Sequence, residues 1–304
     1  MPVTLLQLSR RDFLKRAALA GAAVALAPEI QAGLFRKSHD KNTFFFLSDT
    51  HIAGDAAQTY LNVNMTDHLA AVSRELAAWP VRPAAVIVNG DLAYLTGKPE
   101  DYVQFAKAIT PVRALAPVHL SLGNHDERDN FWSAFPLDAV KQDSVPQKQI
   151  AVFDSPRANW FLLDSLQVTS KTPGEVGGAQ LDWLAHELDA RPQKPAIVLV
   201  HHNPQFPKPT TGLLDSDALL AVLAPRRQVK VLIFGHTHDW KIWQHESGIH
   251  LVNLPPTSYP FHEGRPAGWV RTTLADASME IELRCLDVKH PEHAKPVGLV
   301  WRAA

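Results

Sequence analysis

The run Ala84-Ala85-Val86-Ile87-Val88-Asn89-Gly90-Asp91 decides the fold. Its apolar part is too short for a helix and stops abruptly at Asn-Gly-Asp. Unbroken apolarity, rather than alternation, marks a strand covered on both faces. The same construction recurs along the chain. Residues 44–47 run into Ser48-Asp49-Thr50-His51, and 118–122 into Gly123-Asn124-His125-Asp126. Residues 196–200 run into His201-His202-Asn203-Pro204, and 229–234 into Gly235-His236-Thr237-His238.

Between these runs the apolar spacing turns helical. Residues 67–78 place Leu69, Val72, Leu76 and then Trp79 on one side, and 100–109, 179–188 and 215–223 behave likewise. Strand and helix in alternation imply an α/β domain with a largely parallel sheet at its heart. Beyond residue 240 the runs are shorter and alternate: 241–245, 249–253, 269–274 and 279–286 read as an antiparallel sheet packed beside the first. No Gly/Ser-rich linker or internal repeat interrupts the chain, so residues 33–304 are expected to form one domain. Ligands of open α/β sheets bind beyond the carboxyl ends of the strands. The polar clusters, spread from position 49 to 238, are therefore expected on one rim.

Asp49 and His51 stand two apart, as do His236 and His238. On extended backbone, side chains at i and i+2 share a face, so each pair can grip one site. Carboxylate mixed with neutral imidazole is a donor set for Zn, Mn, Fe or a similar metal. A single Asp-x-His is ordinary turn chemistry. Five clusters in order, each closing a strand, are not.

The order Asp-x-His, Gly-Asp, Gly-Asn-His-Asp, His, Gly-His-x-His resembles the calcineurin-like metallophosphoesterases over nearly all of residues 44–260. The resemblance implies a four-layer α/β/β/α sandwich with mixed sheets, holding two divalent or mixed-valence ions (Mn, Fe or Zn). It implies one metal on Asp49, His51, Asp91 and His238, and a second on Asp91, Asn124, His201 and His236, with Asp91 as the bridge. The residue chemistry agrees with that division. Metals about 3.5–4 Å apart need a shared anion, and Asn124 adds an oxygen without cancelling charge. Two divalent ions with Asp49, Asp91 and a bridging hydroxide leave a charge of about +1, which attracts phosphate.

By the same resemblance, water held between the metals attacks phosphorus in line with the leaving alcohol, and His125 protonates the leaving oxygen or binds phosphate. The chain departs from the family pattern at one point. The Asp that often orients this histidine, three residues after the Gly-Asp aspartate, is Tyr94 here. His201 matches the ligand position of the 201–202 pair, which leaves His202 to hydrogen-bond nearby or to face substrate beside Asn124 and His125. Gly90-Asp91-Leu92, Gly97, Pro99 and Tyr102 look like the cyclic-nucleotide and glycerophosphodiester phosphodiesterase branch. Asn124-His125-Asp126-x-Arg128 with Phe131, and Gly212-Leu213-x-Asp215, point the same way. The bland reading of these residues is loop and cap chemistry, with Pro99 opening a helix and Asp215 capping one.

The 304 residues are 46% hydrophobic and 20% charged, with 30 Lys+Arg against 31 Asp+Glu, as in a folded globular protein. A formal charge of −1 gives no electrostatic case for nucleic acid or anionic membrane as the main partner. The single cysteine, Cys285, rules out an intrachain disulfide or a Cys-based metal cluster. There is no Gly-x-Ser-x-Gly elbow and no glycine-rich phosphate loop. His290-Pro291-Glu292-His293 reads as a solvated tail.

Ser9-Arg10-Arg11-Asp12-Phe13-Leu14-Lys15 precedes an apolar stretch, 17–27, and a cut after Ala32 is expected. The string resembles a twin-arginine export signal, which implies a periplasmic or otherwise exported protein, the twin-arginine machinery as partner of the precursor, and no membrane anchor after cleavage. Without residues 1–32 the chain carries 26 basic against 29 acidic residues, a formal charge of −3. That disfavours a nuclease. The expected function is an exported dinuclear phosphoesterase acting on a small phosphodiester or phosphomonoester, diesters being favoured. The rival is a non-catalytic metal-dependent binding protein of the same fold, favoured by Tyr94 alone.

Overall fold

A computed structural model describes residues 37–139 and 145–303. The chain divides into two units, Met1–Ser38 and His39–Ala304, and the architecture that follows is that of the second. The expected export signal lies outside the described residues.

Four of the five apolar runs feed two cores at once, whereas Val118, Leu120 and Leu122 alternate with His119 and Ser121 and enter one. In β1 (Ser38–Leu47), Phe44 and Phe46 enter one cluster while Phe45 and Leu47 enter another, as the two-residue period of a strand demands. In β4 (Val81–Asn89), Ile87 joins the first cluster, and Val86 and Val88 the second. β8 (Ala196–Leu199) gives Ile197 and Leu199 to the cluster of Phe44 but Ala196 and Val198 to a third. Continuous apolarity is thus two interleaved alternations, each facing a different core.

Three cores make four layers. One six-stranded sheet has the order β14 (Pro296–Val300), β13 (Ser278–Cys285), β12 (Gly268–Leu274), β1, β4, β5 (Val118–Ser121). The other runs β10 (Lys241–Gln244), β11 (His250–Asn253), β9 (Val229–Phe234), β8, β7 (Asn159–Leu162), β6 (Ala151–Asp154). The helices α1 (Met65–Ala78), α2 (Pro99–Ala108), α3 (Thr110–Leu115) and α4 (Arg128–Ala134) contribute to the core on the outer side of the first sheet. Helices α5 (Gly178–Asp189) and α6 (Ser216–Leu223) do the same for the second. The middle core is aromatic at its centre, with Phe44 and Trp160 rings 4.3 Å apart. Truncating a fully buried ring such as Phe46 to alanine there costs about 3–5 kcal/mol. The fold is an α/β/β/α sandwich with two mixed sheets.

Three expectations need correction. The five motif strands do not share one sheet: β1, β4 and β5 lie in the first, and β8 and β9 in the second. The runs after residue 240 form no separate sheet. β11 pairs parallel to β9 and carries β10 at the edge, while β12 and β13 pair antiparallel beside β1. Hydrophobic pattern records how many faces of a strand are covered, not which sheet it joins. Residues 290–293 are not a tail but a turn between β13 and β14, where His293 Nδ1 accepts from the Cys285 N–H at 3.0 Å.

Helices α1, α2, α5 and α6 fall where the periodicity places them, and Pro99 opens α2. Asp215 precedes α6 without capping it. Its carboxylate accepts instead from the N–H groups of Val176 and Gly177, at 3.1 and 2.8 Å. A small hairpin, β2 (Thr59–Tyr60) with β3 (Val63–Asn64), leads into α1, whose first turn is capped by Asn64 accepting from the Asp67 N–H.

Candidate metal centre

The polar clusters meet although their strands belong to two sheets. Asp49, His51, Asp91, Asn124 and His125 follow strands of the first sheet; His201, His236 and His238 follow strands of the second. Ligand atoms of Asp49, His51 and His238 lie within 4.8 Å of one another, as do those of Asp91, His201 and His236. A third such group is His51, Asp91 and His125. Asp91 and His51 each belong to two of the groups, and of the two only Asp91 has a second oxygen with which to bridge.

The backbone reaches this arrangement by a route the i, i+2 rule does not describe. Asp49 (φ 53°), His51 (φ 48°), Asp91 (φ 48°), His236 (φ 70°) and His238 (φ 53°) are all left-handed, not extended. The chain turns as soon as it leaves each strand, and Asp and His tolerate that conformation better than most side chains. Each such residue costs about 1–3 kcal/mol and persists only where its surroundings over-determine it. Here they do. The N–H groups of Asp49 and His51 donate to the carbonyls of Gly90 and Asp91 at 3.1 and 3.0 Å, and Thr50 Oγ1 donates to Leu92 O at 3.0 Å. Thr237 Oγ1 donates to Asn253 Oδ1 at 2.8 Å. Gly123 and Gly235 let these turns close, since a Cβ on the former would collide with the Asp91 carboxylate and one on the latter with Ser48 Oγ.

Main-chain carbonyls set the histidine tautomers. A carbonyl only accepts, so the ring nitrogen facing it carries the proton. His201 Nδ1 donates to Asn89 O at 2.9 Å, His238 Nδ1 to Tyr259 O at 2.5 Å, and His125 Nδ1 to Leu95 O at 2.8 Å. In each neutral ring Nε2 is left with a lone pair. Buried His51 Nδ1, Asn124 Oδ1, His201 Nε2 and His202 Nε2 have no hydrogen-bond partner among the described residues. His51 Nε2 lies 3.0 Å from His238 Nε2, His238 Nε2 lies 3.5 Å from Asp49 Oδ1, and His201 Nε2 lies 3.3 Å from Asp91 Oδ2. Donors bonded at about 2.0–2.1 Å to one cation stand about 3.0–3.4 Å apart. The donor set fits divalent metal.

Electrostatics agrees. Burial pushes the Asp49 carboxyl up, against the pull of His201 and His238. Burial acts on Asp91 in the same sense, but His201, His125 and His51 outweigh it and hold that carboxyl well below the usual range. His201 resists the desolvation of its charge because Asp91 and Asp49 face it, and it is pushed up to about 10. Burial drives the other rings down: His51, His202 and His238, with His236 at about 3. Asp91 thus faces imidazoles that burial keeps neutral, together with His201, whose proton an incoming cation would displace.

Asn124 and His125 line a cavity of about 490 Å³ with His51, Asp91, His236 and His238. Fully buried His202 is not among its lining residues; its Nδ1 meets Ser165 Oγ at 2.7 Å and its ring packs on His236 at 4.6 Å. The Tyr94 departure is met by the next residue, whose main-chain carbonyl orients His125. Ser170 Oγ donates to the same carbonyl, and the Ser170 N–H donates to Asn124 O at 2.6 Å. No sequence signal marks such a role, because every residue has a carbonyl. Asp126 ties the motifs together, accepting from the N–H groups of Leu92, Ala93 and Gly123. Arg128 grips buried Asp164 through two parallel bonds of 2.9 and 2.8 Å. Four aromatic rings at the cavity, Tyr60, Tyr94, Tyr259 and Phe261, also escaped the sequence reading as site residues. The proline-rich stretch Pro255-Pro256-Thr257-Ser258-Tyr259-Pro260-Phe261 was the available signal for a surface loop, which exposes Phe261 although it buries Tyr259 in the first-sheet core.

Sandwich and donor set together define a metal-dependent phosphoric ester hydrolase. The calcineurin-like phosphoesterase family matches residues 43–240, and the chain belongs to that family. It is 26% identical over 220 residues to a 3′,5′-cyclic-nucleotide phosphodiesterase from Nostoc sp., covering 71% of this chain and 78% of that protein. It is 28% identical over 225 residues to a 3′,5′-cyclic adenosine monophosphate phosphodiesterase of Pseudomonas aeruginosa, covering 72% and 77%. Among solved structures, a dimetal phosphatase from Danio rerio superposes with a TM-score of 0.67 at 17% identity, over 86% of this chain and 99% of that one. That likeness is one of fold.

Proposed function

We propose that the chain hydrolyses a phosphodiester of the 3′,5′-cyclic-nucleotide kind at a centre of two divalent ions. The observation that carries this is the pair of donor triads, Asp49 with His51 and His238, and Asp91 with His201 and His236, with a carbonyl-oriented histidine beside them. The names of the two relatives supply the substrate class. Asp49, His51, Asp91 and His238 would hold one ion, and Asp91, Asn124, His201 and His236 the other. Bound there, the ions neutralise phosphate charge and lower the pKa of the attacking water.

The remaining work falls to this chain's side chains. Asn89 and Tyr259 present carbonyls that keep His201 and His238 in the metal-binding tautomer. The Leu95 carbonyl holds the proton of His125 on Nδ1, so protonated His125 can give up only the Nε2 proton, to the departing oxygen. The Asp91 carboxylate accepts from the His125 N–H at 2.8 Å and sets that residue's position against the phosphate.

The leaving group tests the reading. A general acid contributes typically ~10²–10⁴-fold when the departing alkoxide is basic, and little when it is a nitrophenolate. His125→Ala is expected to spare bis(p-nitrophenyl) phosphate and to lose ribosyl esters by that factor. Equal losses on both, with metal retained, would make His125 a phosphate ligand. Tyr94 no longer favours a non-catalytic reading, because the Leu95 carbonyl supplies the orientation it lacks. Metal-loaded protein that binds phosphoesters without turning over bis(p-nitrophenyl) phosphate would reinstate it.

The export reading, with residues 1–32 removed, rests on Arg10-Arg11 and the short apolar run that follows. A precursor with both arginines changed to lysine should stay unprocessed in the cytoplasm. Continued processing and export would overturn it.

A further inference from the structure

The cavity over the metal-binding residues is built for a particular kind of ligand. No lysine or arginine is among the described residues that line it. Tyr60 is carried there by the β2–β3 hairpin, Tyr94 by the turn after Asp91, and Tyr259 and Phe261 by the loop between β11 and β12. Two of these rings are exposed, Tyr60 at 41% and Phe261 at 50%. The Tyr60 ring lies 4.7 Å from Tyr259 and 6.4 Å from Tyr94. Phe261 lies flat on His238, at 4.1 Å and 17°, and still leaves half of its surface to solvent. Aromatic faces left in water at a cleft mark where an apolar partner lies.

We propose that Tyr60, Tyr94 and Phe261 form a stacking subsite for the base of a nucleotide that carries a single phosphate. The inference rests on the hydrolase reading above and adds to it the part of the substrate that is recognised. With no lysine or arginine among the described residues of the cavity wall, only the metal cluster and His125 beside it answer negative charge. One phosphate is served there, and the tail of a di- or triphosphate would find no partner. A flat neutral ring matches the exposed aromatic faces, and Thr172 and Thr211, also on the cavity wall, offer hydroxyls to a base edge. A quaternary ammonium headgroup also favours aromatic faces. It would have to settle beside a net positive metal centre, which argues against it.

The test compares adenosine 5′-monophosphate with ribose 5-phosphate, which keeps the sugar and phosphate and lacks the base. Equilibrium binding is measured by calorimetry on metal-loaded protein. Stacking of a base on aromatic side chains is worth roughly 5- to 150-fold in affinity. The wild type should prefer the nucleotide by a factor in that range. Tyr60→Ala should shrink the preference while leaving ribose 5-phosphate binding unchanged, and Tyr60→Phe should restore it. KM for cyclic adenosine monophosphate should rise in Tyr60→Ala with kcat unchanged.

The subsite is overturned if the wild type shows no preference for the nucleotide, or if Tyr60→Ala weakens both ligands equally. It is also overturned if glycerophosphocholine loses more affinity than the nucleotide does. Failure of the substrate reading looks different. Cyclic nucleotide would resist hydrolysis while bis(p-nitrophenyl) phosphate is cleaved, with the Tyr60-dependent preference intact.

Discussion

Replacing Arg128 by methionine isolates the ion pair that fastens the third motif to the second sheet. The Asp164 carboxylate is fully buried and accepts four hydrogen bonds. Arg128 Nε and Nη2 supply two, at 2.9 and 2.8 Å, and the N–H groups of Gln149 and Leu166 two more, at 2.8 and 2.9 Å. Methionine keeps much of the aliphatic bulk and removes both charge-assisted bonds. Breaking a buried pair by deleting one partner costs about 3–5 kcal/mol, because the other charge is stranded. The Lys148 ammonium, 3.0 Å from the Asp164 carbonyl, offsets part of this and places the expectation at the lower end, about 3 kcal/mol. With a urea slope of about 3 kcal/mol/M, the unfolding midpoint should fall by about 1 M. Adding Asp164→Asn should recover part of the loss, since the stranded charge is gone. Arg128 also donates to the Leu166 carbonyl, at the start of the segment whose Ser170 N–H holds Asn124, so kcat/KM should fall in the single variant as well. A midpoint shift under about 0.3 M, or a double variant no better than the single, would refute the reasoning.

Asp91→Ala should empty both metal positions while His51→Ala empties chiefly one, as read by metal-to-protein ratios; two ions retained in the position 91 variant would remove the bridge. Gly123→Ala drives a Cβ into the Asp91 carboxylate, and should lower metal content with little change in far-ultraviolet circular dichroism; unaltered metal content would show that the close approach is unimportant. His119 lies flat on Phe153 at 3.9 Å, and burial pushes it down to about 4 from 6.5. Its folded pKa is below its unfolded one, so the unfolded chain takes the proton first, and stability falls from pH 6.5 to about 4, by about 3 kcal/mol in all. His119→Phe should flatten that segment of the stability profile, and an unchanged slope would contradict it.

The fold was legible wherever one local signal sufficed. Val86, Ile87 and Val88 announce a strand covered on two faces, and Leu69, Val72 and Leu76 announce an amphipathic helix. Sheet membership was hidden, because Phe46 and Ile197 look alike in sequence although they face each other's sheets across the middle core. Helices α3 and α4 are too short for periodicity to show, and β7 was passed over although Trp160-Phe161-Leu162 runs into Asp164 in the same manner as the motif strands. In the site, side chains at strand ends could be read and assembled. The devices that aim them could not. The left-handed turns at Asp49 and His238, and the carbonyls of Asn89, Leu95 and Tyr259, belong to the backbone, which carries no side-chain signature.

The donor cluster spans the boundary between two sheets whose broad contact is the apolar middle core, crossed near the site by a few polar links such as Asn89 Nδ2 to Val200 O. Dispersion and burial hold such faces together yet have little directional stiffness, so the boundary is a potential slip plane. Ions gripped from both sides would pin it like a rivet, and the grip would in turn register any slip. Metal affinity becomes a strain gauge for the middle of the molecule. Trimming Phe46 or Ile197, both remote from the cavity wall, should loosen metal binding in protein that is still folded. Saturating metal should raise the melting temperature of such a variant by more than it raises that of the parent.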